Sequence, residues 1–150
     1  MGTYGIRHEV GIKASPEAVY GALTEVEKLA AWWTSDTRGE GSTVGGVLEF
    51  WFGDFCQAFE VVELRPGELV RWKATRKETM EEWAGTEVSF ALSAEEEQCW
   101  VAFAHSGWRE DAGMFDHCST KWAVFLLSLK DLLETGKGRP APDDVPIHHD

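Results

Sequence analysis

The chain has 150 residues, of which 43% are hydrophobic and 27% charged, a composition that fits one globular domain with one core. Fourteen basic and twenty-six acidic side chains give a net charge of −12, which disfavours nucleic acid and anionic membranes as partners. No apolar stretch approaches the roughly 18 residues of a membrane span, and the N-terminus lacks a secretory signal pattern, so we expect a cytoplasmic protein without membrane insertion.

The first element predicted is a half-buried strand over residues 4–14. Charged residues alternate there with mostly apolar ones, which indicates one side that faces the core. The side expected to face the core comprises Ile6, His8, Val10 and Ile12. A short helix should follow, because Ser15 suits an N-cap position and Pro16 a first helical position. Thr24 and Glu27 have the spacing of a capping box, which predicts a second brief helix ending at the Trp32–Trp33 pair.

A loop and a series of strands come next. Residues 35–46 are rich in Gly, Ser and Thr and predict a loop that could form a rim or gate. Hairpin-like turns then separate five short runs with strand character. These runs cover residues 47–52, 56–64, 69–76, 84–93 and 99–106. With the first strand this makes six strands in an antiparallel sheet, which is typical of the α+β class.

The last element is a long helix over residues 114–136. Its apolar residues recur at intervals of three and four and make a face too broad for an ordinary surface helix, so the helix needs a wide apolar partner. Gly136 provides a C-terminal stop. Residues 138–150 contain three prolines and predict an extended tail, which leaves residues 1–137 as the folded domain.

Several segments, taken in order, resemble the START-like, helix-grip superfamily (SRPBCC), and within it the branch of activators of the heat-shock-protein ATPase. They are IKASPEAV at residues 12–19, AWW at 31–33, VGG at 44–46, VSF at 88–90, HSGW at 105–108 and the helix from Trp122 to Gly136. The resemblance implies a curved antiparallel sheet of six or seven strands around the long C-terminal helix, with two short helices after the first strand. It also implies an internal hydrophobic cavity.

The resemblance suggests which side chains would line that cavity. It favours the face of the last strand that carries Phe103 and His105, with His105 as a polar group at the cavity end. The competing interpretation is that His105 has a structural role, with its ring nitrogens hydrogen-bonded to neighbouring protein groups. The same two interpretations apply to His8. The complete set of predicted ligand-binding residues is His8, Trp32, Trp33, Phe50, Trp72, Phe90, Phe103, His105, Trp122 and Phe125.

Catalytic and metal-binding patterns are absent from the sequence. It contains no GxSxG, HExxH, P-loop or GxGxxG motif and no identifiable carboxylate pair. The adjacent His117 and Cys118 would point about 100° apart on a helix, so they do not readily share a metal, and a buried thiol is the simpler interpretation of Cys118. We therefore expect no catalytic residue, metal or cofactor.

These observations lead to a functional hypothesis with two alternatives. The leading hypothesis is a noncatalytic carrier or sensor that encloses a small hydrophobic molecule, lipid-like or polyketide-like, between the long helix and the sheet. The first alternative is a cyclase- or hydrolase-type enzyme that uses His105 on a cavity-bound substrate. The second is a chaperone-associated or other protein-interaction module. Ligand identity is left open, and so is the formation of a homodimer.

Overall fold

The computed structural model describes residues 4–75, 83–109 and 113–147. It contains three helices and seven strands within those ranges. The helices are α1 (Pro16–Thr24), α2 (Val26–Trp32) and α3 (Phe115–Thr135). The strands are β1 (Tyr4–Ile12), β2 (Asp36–Gly39), β3 (Val47–Phe52), β4 (Phe55–Arg65), β5 (Leu69–Ala74), β6 (Glu87–Glu95) and β7 (Gln98–Trp108).

All seven strands form one antiparallel sheet in the order β1-β7-β6-β5-β4-β3-β2. The first strand, β1, pairs with the last strand, β7. Each of the other pairs joins strands that follow one another in sequence. Helix α3 packs against the buried side of this curved sheet, and its inward face includes Cys118, Trp122, Phe125 and Leu129. The architecture is the predicted α+β helix-grip fold.

Strand β2 is the element that the sequence did not predict. It lies at residues 36–39, inside the predicted loop, and pairs with β3 at the edge of the sheet. Its four residues, Asp, Thr, Arg and Gly, carry no alternating apolar pattern, so pairing with β3 rather than side-chain burial makes it a strand. The sheet therefore has seven strands, where the residue pattern had indicated six.

The ends of the short helices show one correct and one wrong prediction. The Ser15 side-chain oxygen accepts a hydrogen bond from the backbone N–H of Ala18 at 3.1 Å, as expected for an N-cap. The capping box is wrong, because α2 begins after Glu25 without a side-chain cap. The Thr24 hydroxyl instead donates to the Tyr20 carbonyl within α1 at 2.9 Å.

Several strand boundaries also differ from the predictions. Strand β6 begins at Glu87 rather than at residue 84, because a turn over residues 83–85 precedes it. The predicted strand end at residue 76 lies outside the described residues, and β5 ends at Ala74. Helix α3 ends as predicted, since Gly136 takes a left-handed conformation with φ 88° and donates to the Leu132 carbonyl.

The centre of the molecule is filled by aromatic rings that pack around Trp33. Its ring centroid lies 4.0 Å from that of Phe50 and 4.8 Å from that of Trp122. It also lies parallel to Trp72 at 6.2 Å. Since these rings join α2, the sheet and α3, they form a core rather than an open central cavity.

The segment after α3 runs back across the domain. The backbone N–H of Arg139 donates to the Ser128 hydroxyl at 2.7 Å, and that of Ala141 donates to the Trp33 carbonyl at 2.7 Å. Ser35 in turn donates to the Ala141 carbonyl at 3.0 Å. Residues 137–147 contain neither helix nor strand, but these bonds hold them against α2 and α3.

Over the described residues, every helix is too short or too polar to cross a membrane.

Candidate ligand pocket

A pocket of about 190 Å³ lies at one end of the core, beside the start of α3. Its walls come from α3, from the hairpin that joins β3 to β4, and from the turn that precedes β6. The described residues that line it are Trp33, Phe52, Phe55, Gln57, Trp83, Met114, His117, Cys118, Lys121, Trp122 and Phe125. Most of the lining is apolar, with a few polar groups among the aromatic side chains.

Two local features build this pocket. On α3 the lining residues recur at three- and four-residue intervals, so Cys118, Lys121, Trp122 and Phe125 share one helical face. On the sheet side, β3 and β4 pair up to Phe52 and Phe55 before the turn. Phe55 is 41% exposed, so an aromatic side chain stands at the mouth of the pocket.

The structure separates the ten predicted ligand-binding residues into two groups. Trp33, Trp122 and Phe125 line the pocket. The remaining seven lie elsewhere in the interior, and six of them are buried by packing against other side chains. This second group comprises His8, Trp32, Phe50, Trp72, Phe90, Phe103 and His105.

His105 is held by hydrogen bonds on both ring nitrogens. Its Nδ1 lies 3.0 Å from the indole Nε1 of Trp122, and its Nε2 lies 2.8 Å from the hydroxyl of Thr86. An indole nitrogen can only donate, so Nδ1 must accept and the ring proton must sit on Nε2. Nε2–H therefore donates to the Thr86 oxygen, and the Thr86 hydroxyl donates to the Trp83 carbonyl at 2.6 Å.

This arrangement keeps His105 neutral. Its side chain is fully buried, and burial lowers its pKa from the ordinary value of 6.5 to about 3, since a charged imidazolium would lose its hydration. A proton on Nδ1 would also displace the hydrogen bond from Trp122. Both ring nitrogens are thus engaged in the core, which favours the interpretation of a satisfied histidine over a catalytic base.

His8 also makes a structural contact. Its Nε2 lies 3.0 Å from the carbonyl oxygen of Ser119, which can only accept, so Nε2–H donates and ties β1 to the first turns of α3. The ring also stacks near Phe103, with centroids 6.3 Å apart. His8 therefore positions the helix that carries one wall of the pocket.

Sequence reasoning missed much of the pocket wall, including Gln57 and Trp83. Gln57 is only 1% exposed, and it lies in a stretch of β4 where consecutive residues on both faces are buried, so the alternation gives no signal. Trp83 lies in a turn rather than on a strand. His117 and Cys118 had been considered as chemical groups, and both line the pocket.

The pocket wall also includes polar groups. The indole nitrogen of Trp83 is buried and has no hydrogen-bond partner among the described residues. Gln57 on β4 and Cys118 on α3 also line the pocket. Within the described ranges, no three His, Cys, Asp or Glu side chains are grouped to hold a metal ion.

Fold and pocket together define a START-like domain of the helix-grip type. The family model described as activator of Hsp90 ATPase homolog 1-like protein matches residues 13–134, and the chain belongs to this family. No curated protein matches the chain.

Solved structures agree with this assignment. The Aha1 dimer from Colwellia psychrerythraea is 47% identical, with a TM-score of 0.82, over 90% of this chain and 99% of that one. Protein MLL2253 from Mesorhizobium loti is 19% identical, with a TM-score of 0.77, over 87% of this chain and 97% of that one. CalU16 from Micromonospora echinospora is 16% identical, with a TM-score of 0.71, over 88% of this chain and 77% of that one. The last two are similar in fold alone.

Proposed function

We propose that the protein binds a small apolar molecule in the pocket between the start of α3 and the β3–β4 hairpin. The observation that carries the proposal is the pocket itself, a space of about 190 Å³ walled by Trp33, Trp122 and Phe125 and bordered by the exposed ring of Phe55. An apolar ligand would replace water against these rings, and burial of apolar surface is the main source of affinity in such sites.

The size of the pocket limits the ligand. A cavity of about 150 Å³ accommodates a benzene ring, whereas sites for drug-sized ligands occupy about 300 to 1,000 Å³. A space of about 190 Å³ therefore suits one small ring system or a short alkyl segment. A larger ligand would extend past Phe55 into solvent.

The indole of Trp83, one of the wall residues, supports an orientation for such a ligand. Trp83 brings an indole N–H that lacks a partner among the described residues, and an unpaired buried donor carries an energetic cost. A carbonyl, ether or hydroxyl oxygen on a ligand that reaches this nitrogen would remove that cost. The proposal is thus an apolar molecule with an oxygen acceptor, in a carrier or sensor role.

The test is a titration with N-phenyl-1-naphthylamine, a neutral probe whose emission rises in apolar surroundings and which would place one of its ring systems in the pocket while the other extends past Phe55. We expect saturable binding at one site per chain, with a change in the emission of the tryptophans that line the pocket. The absence of saturable binding to the folded protein would contradict the proposal.

A variant that fills the pocket shows whether the probe occupies this site. Cys118 lines the pocket and is 5% exposed, so Cys118→Phe places a ring in the space that the ligand needs. Leu127→Phe is the matched control, because Leu127 lies on the same helix and is 56% exposed. We expect the first variant to lose at least about tenfold in affinity and the control to retain it. Equal affinity in both variants would place the probe elsewhere.

A homodimer is a second proposal, and it concerns assembly rather than chemistry. It is supported by the 47% identity to the Colwellia psychrerythraea protein, whose solution structure is that of a dimer. Sedimentation velocity over a range of concentrations tests it. A mass that stays at 16.8 kDa at every concentration would contradict it.

A further inference from the structure

Among the described residues, an ion pair joins the pocket wall to the C-terminal segment. Lys121 lines the pocket from α3, and its Nζ is paired with Oδ2 of Asp144. The same ammonium lies 5.2 Å from the ring centroid of Phe125, another wall residue. The Asp144 side chain is only 10% exposed, so this carboxylate is held close to the pocket rather than in open solvent.

The position of Asp144 follows from how the segment before it is anchored. Ala141 forms a parallel bridge with Thr34, and its backbone N–H donates to the carbonyl of Trp33, which is itself a wall residue. Asp143 then donates its backbone N–H to the Pro140 carbonyl in a turn. This turn directs the chain toward α3, where Asp144 meets Lys121.

The pair determines the charge that a ligand encounters. An anionic group in an apolar pocket loses its hydration and needs a cation to compensate. Among the described lining residues, Lys121 supplies the side chain with a permanent positive charge, and Asp144 already neutralises it. The net charge of −12 further opposes the approach of anions.

We propose that Asp144 makes the pocket selective for uncharged ligands by holding the charge of Lys121, and that the C-terminal segment is thereby part of the binding site. This inference rests on the proposed function, since it concerns the selectivity of the same pocket. It predicts that removal of the Asp144 charge leaves Lys121 uncompensated beside Phe125 and converts the pocket to one that accepts anionic apolar ligands.

Two probes with one scaffold test this inference. N-phenyl-1-naphthylamine is neutral, and 8-anilinonaphthalene-1-sulfonate is the same framework with a sulfonate. We expect Asp144→Asn to raise the affinity for the sulfonate relative to the neutral probe by about tenfold, the usual scale of a charge-assisted hydrogen bond. Asp143→Asn is the matched control, because it removes the same charge from the exposed neighbouring residue.

A double variant identifies the cation. In Lys121→Met/Asp144→Asn the ratio of affinities should return to that of the natural chain. The inference is overturned if Asp144→Asn changes the ratio no more than Asp143→Asn does, or if the change survives the loss of Lys121. Failure of the underlying function has a different signature, in which the neutral probe itself does not bind saturably to the natural chain.

Discussion

The indole N–H of Trp122 donates a hydrogen bond to Nδ1 of His105 at 3.0 Å, which links the long helix to the last strand inside the core. Trp122 thus lines the pocket while its indole N–H is satisfied by the histidine. His105, which the sequence suggested as a ligand anchor, supports a pocket wall through this bond. His105 acts on the site through Trp122.

The first prediction concerns pH. Because burial lowers the pKa of His105 from 6.5 to about 3, the unfolded chain binds a proton below pH 6.5 that the folded chain does not. Stability is therefore fully present above pH 6.5 and falls toward pH 3, by at most about 1.4 kcal/mol per pH unit for this one group. His105→Gln keeps an acceptor and a donor but does not titrate.

Urea denaturation of both proteins between pH 7 and about pH 5 is the measurement for this prediction. Carboxylates and the other histidines are common to both proteins, so they cancel in the difference. The stability advantage of the natural chain over the variant should shrink as the pH falls. If the difference is constant over this range, His105 does not stay neutral in the folded state.

The second prediction concerns Thr86, which joins His105 to the turn at Trp83. Thr86→Val keeps the shape of the side chain but removes the acceptor for His105 Nε2–H and the donor to the Trp83 carbonyl. We expect a loss of about 1–3 kcal/mol in the free energy of unfolding, because buried polar groups are left without partners. Thr86→Ser retains the hydroxyl and should lose distinctly less. Equal losses would indicate that packing of the methyl group dominates.

The sequence allowed the larger elements to be predicted because burial in them follows a simple period. Strand β7 alternates between the buried Val101 and Phe103 and more exposed neighbours, and α3 repeats its apolar face. Strand β2 escaped prediction because pairing with β3, not burial, defines it. We could not predict which side chains of β4 face the core, because four consecutive residues are buried and both faces of the strand look alike. These residues are Cys56, Gln57, Ala58 and Phe59.

The candidate site was predictable only in part for a related reason. An aromatic residue on an inward face can fill the core or border a void, and the difference depends on volumes contributed by several elements together. Trp33 and Trp122 reach the pocket, whereas Phe90 and Trp72 pack on each other at 5.2 Å in the core. The role of Asp144 depends on the return of the C-terminal segment across α3, which no local pattern indicates.

The third prediction separates the two roles of Trp122. Trp122→Phe keeps an aromatic ring at the wall but removes the donor to His105 Nδ1, which should lower the free energy of unfolding by about 1–3 kcal/mol. Trp51→Phe is the control, because the Trp51 indole donates to Glu49 at 3.3 Å and is only partly buried. We expect a smaller loss there. A histidine ring-nitrogen NMR spectrum provides a second readout, since only the first variant should alter the Nδ1 resonance of His105.

The last prediction concerns the anchoring of the C-terminal segment. A Cβ at Gly138 would lie 2.5 Å from the Ala31 carbonyl oxygen and 3.0 Å from that of Ser128, and both are backbone atoms that cannot move aside easily. Gly138→Ala should therefore loosen the segment, lower the protection of the Ala141 amide from hydrogen exchange, and raise the relative affinity for 8-anilinonaphthalene-1-sulfonate as Asp144→Asn does. Gly5→Ala is the control, since a Cβ there meets its nearest atoms at 3.7 Å, an ordinary contact distance. If the Ala141 amide loses protection while the ratio of probe affinities stays unchanged, the segment is anchored as described but does not govern the charge of the pocket.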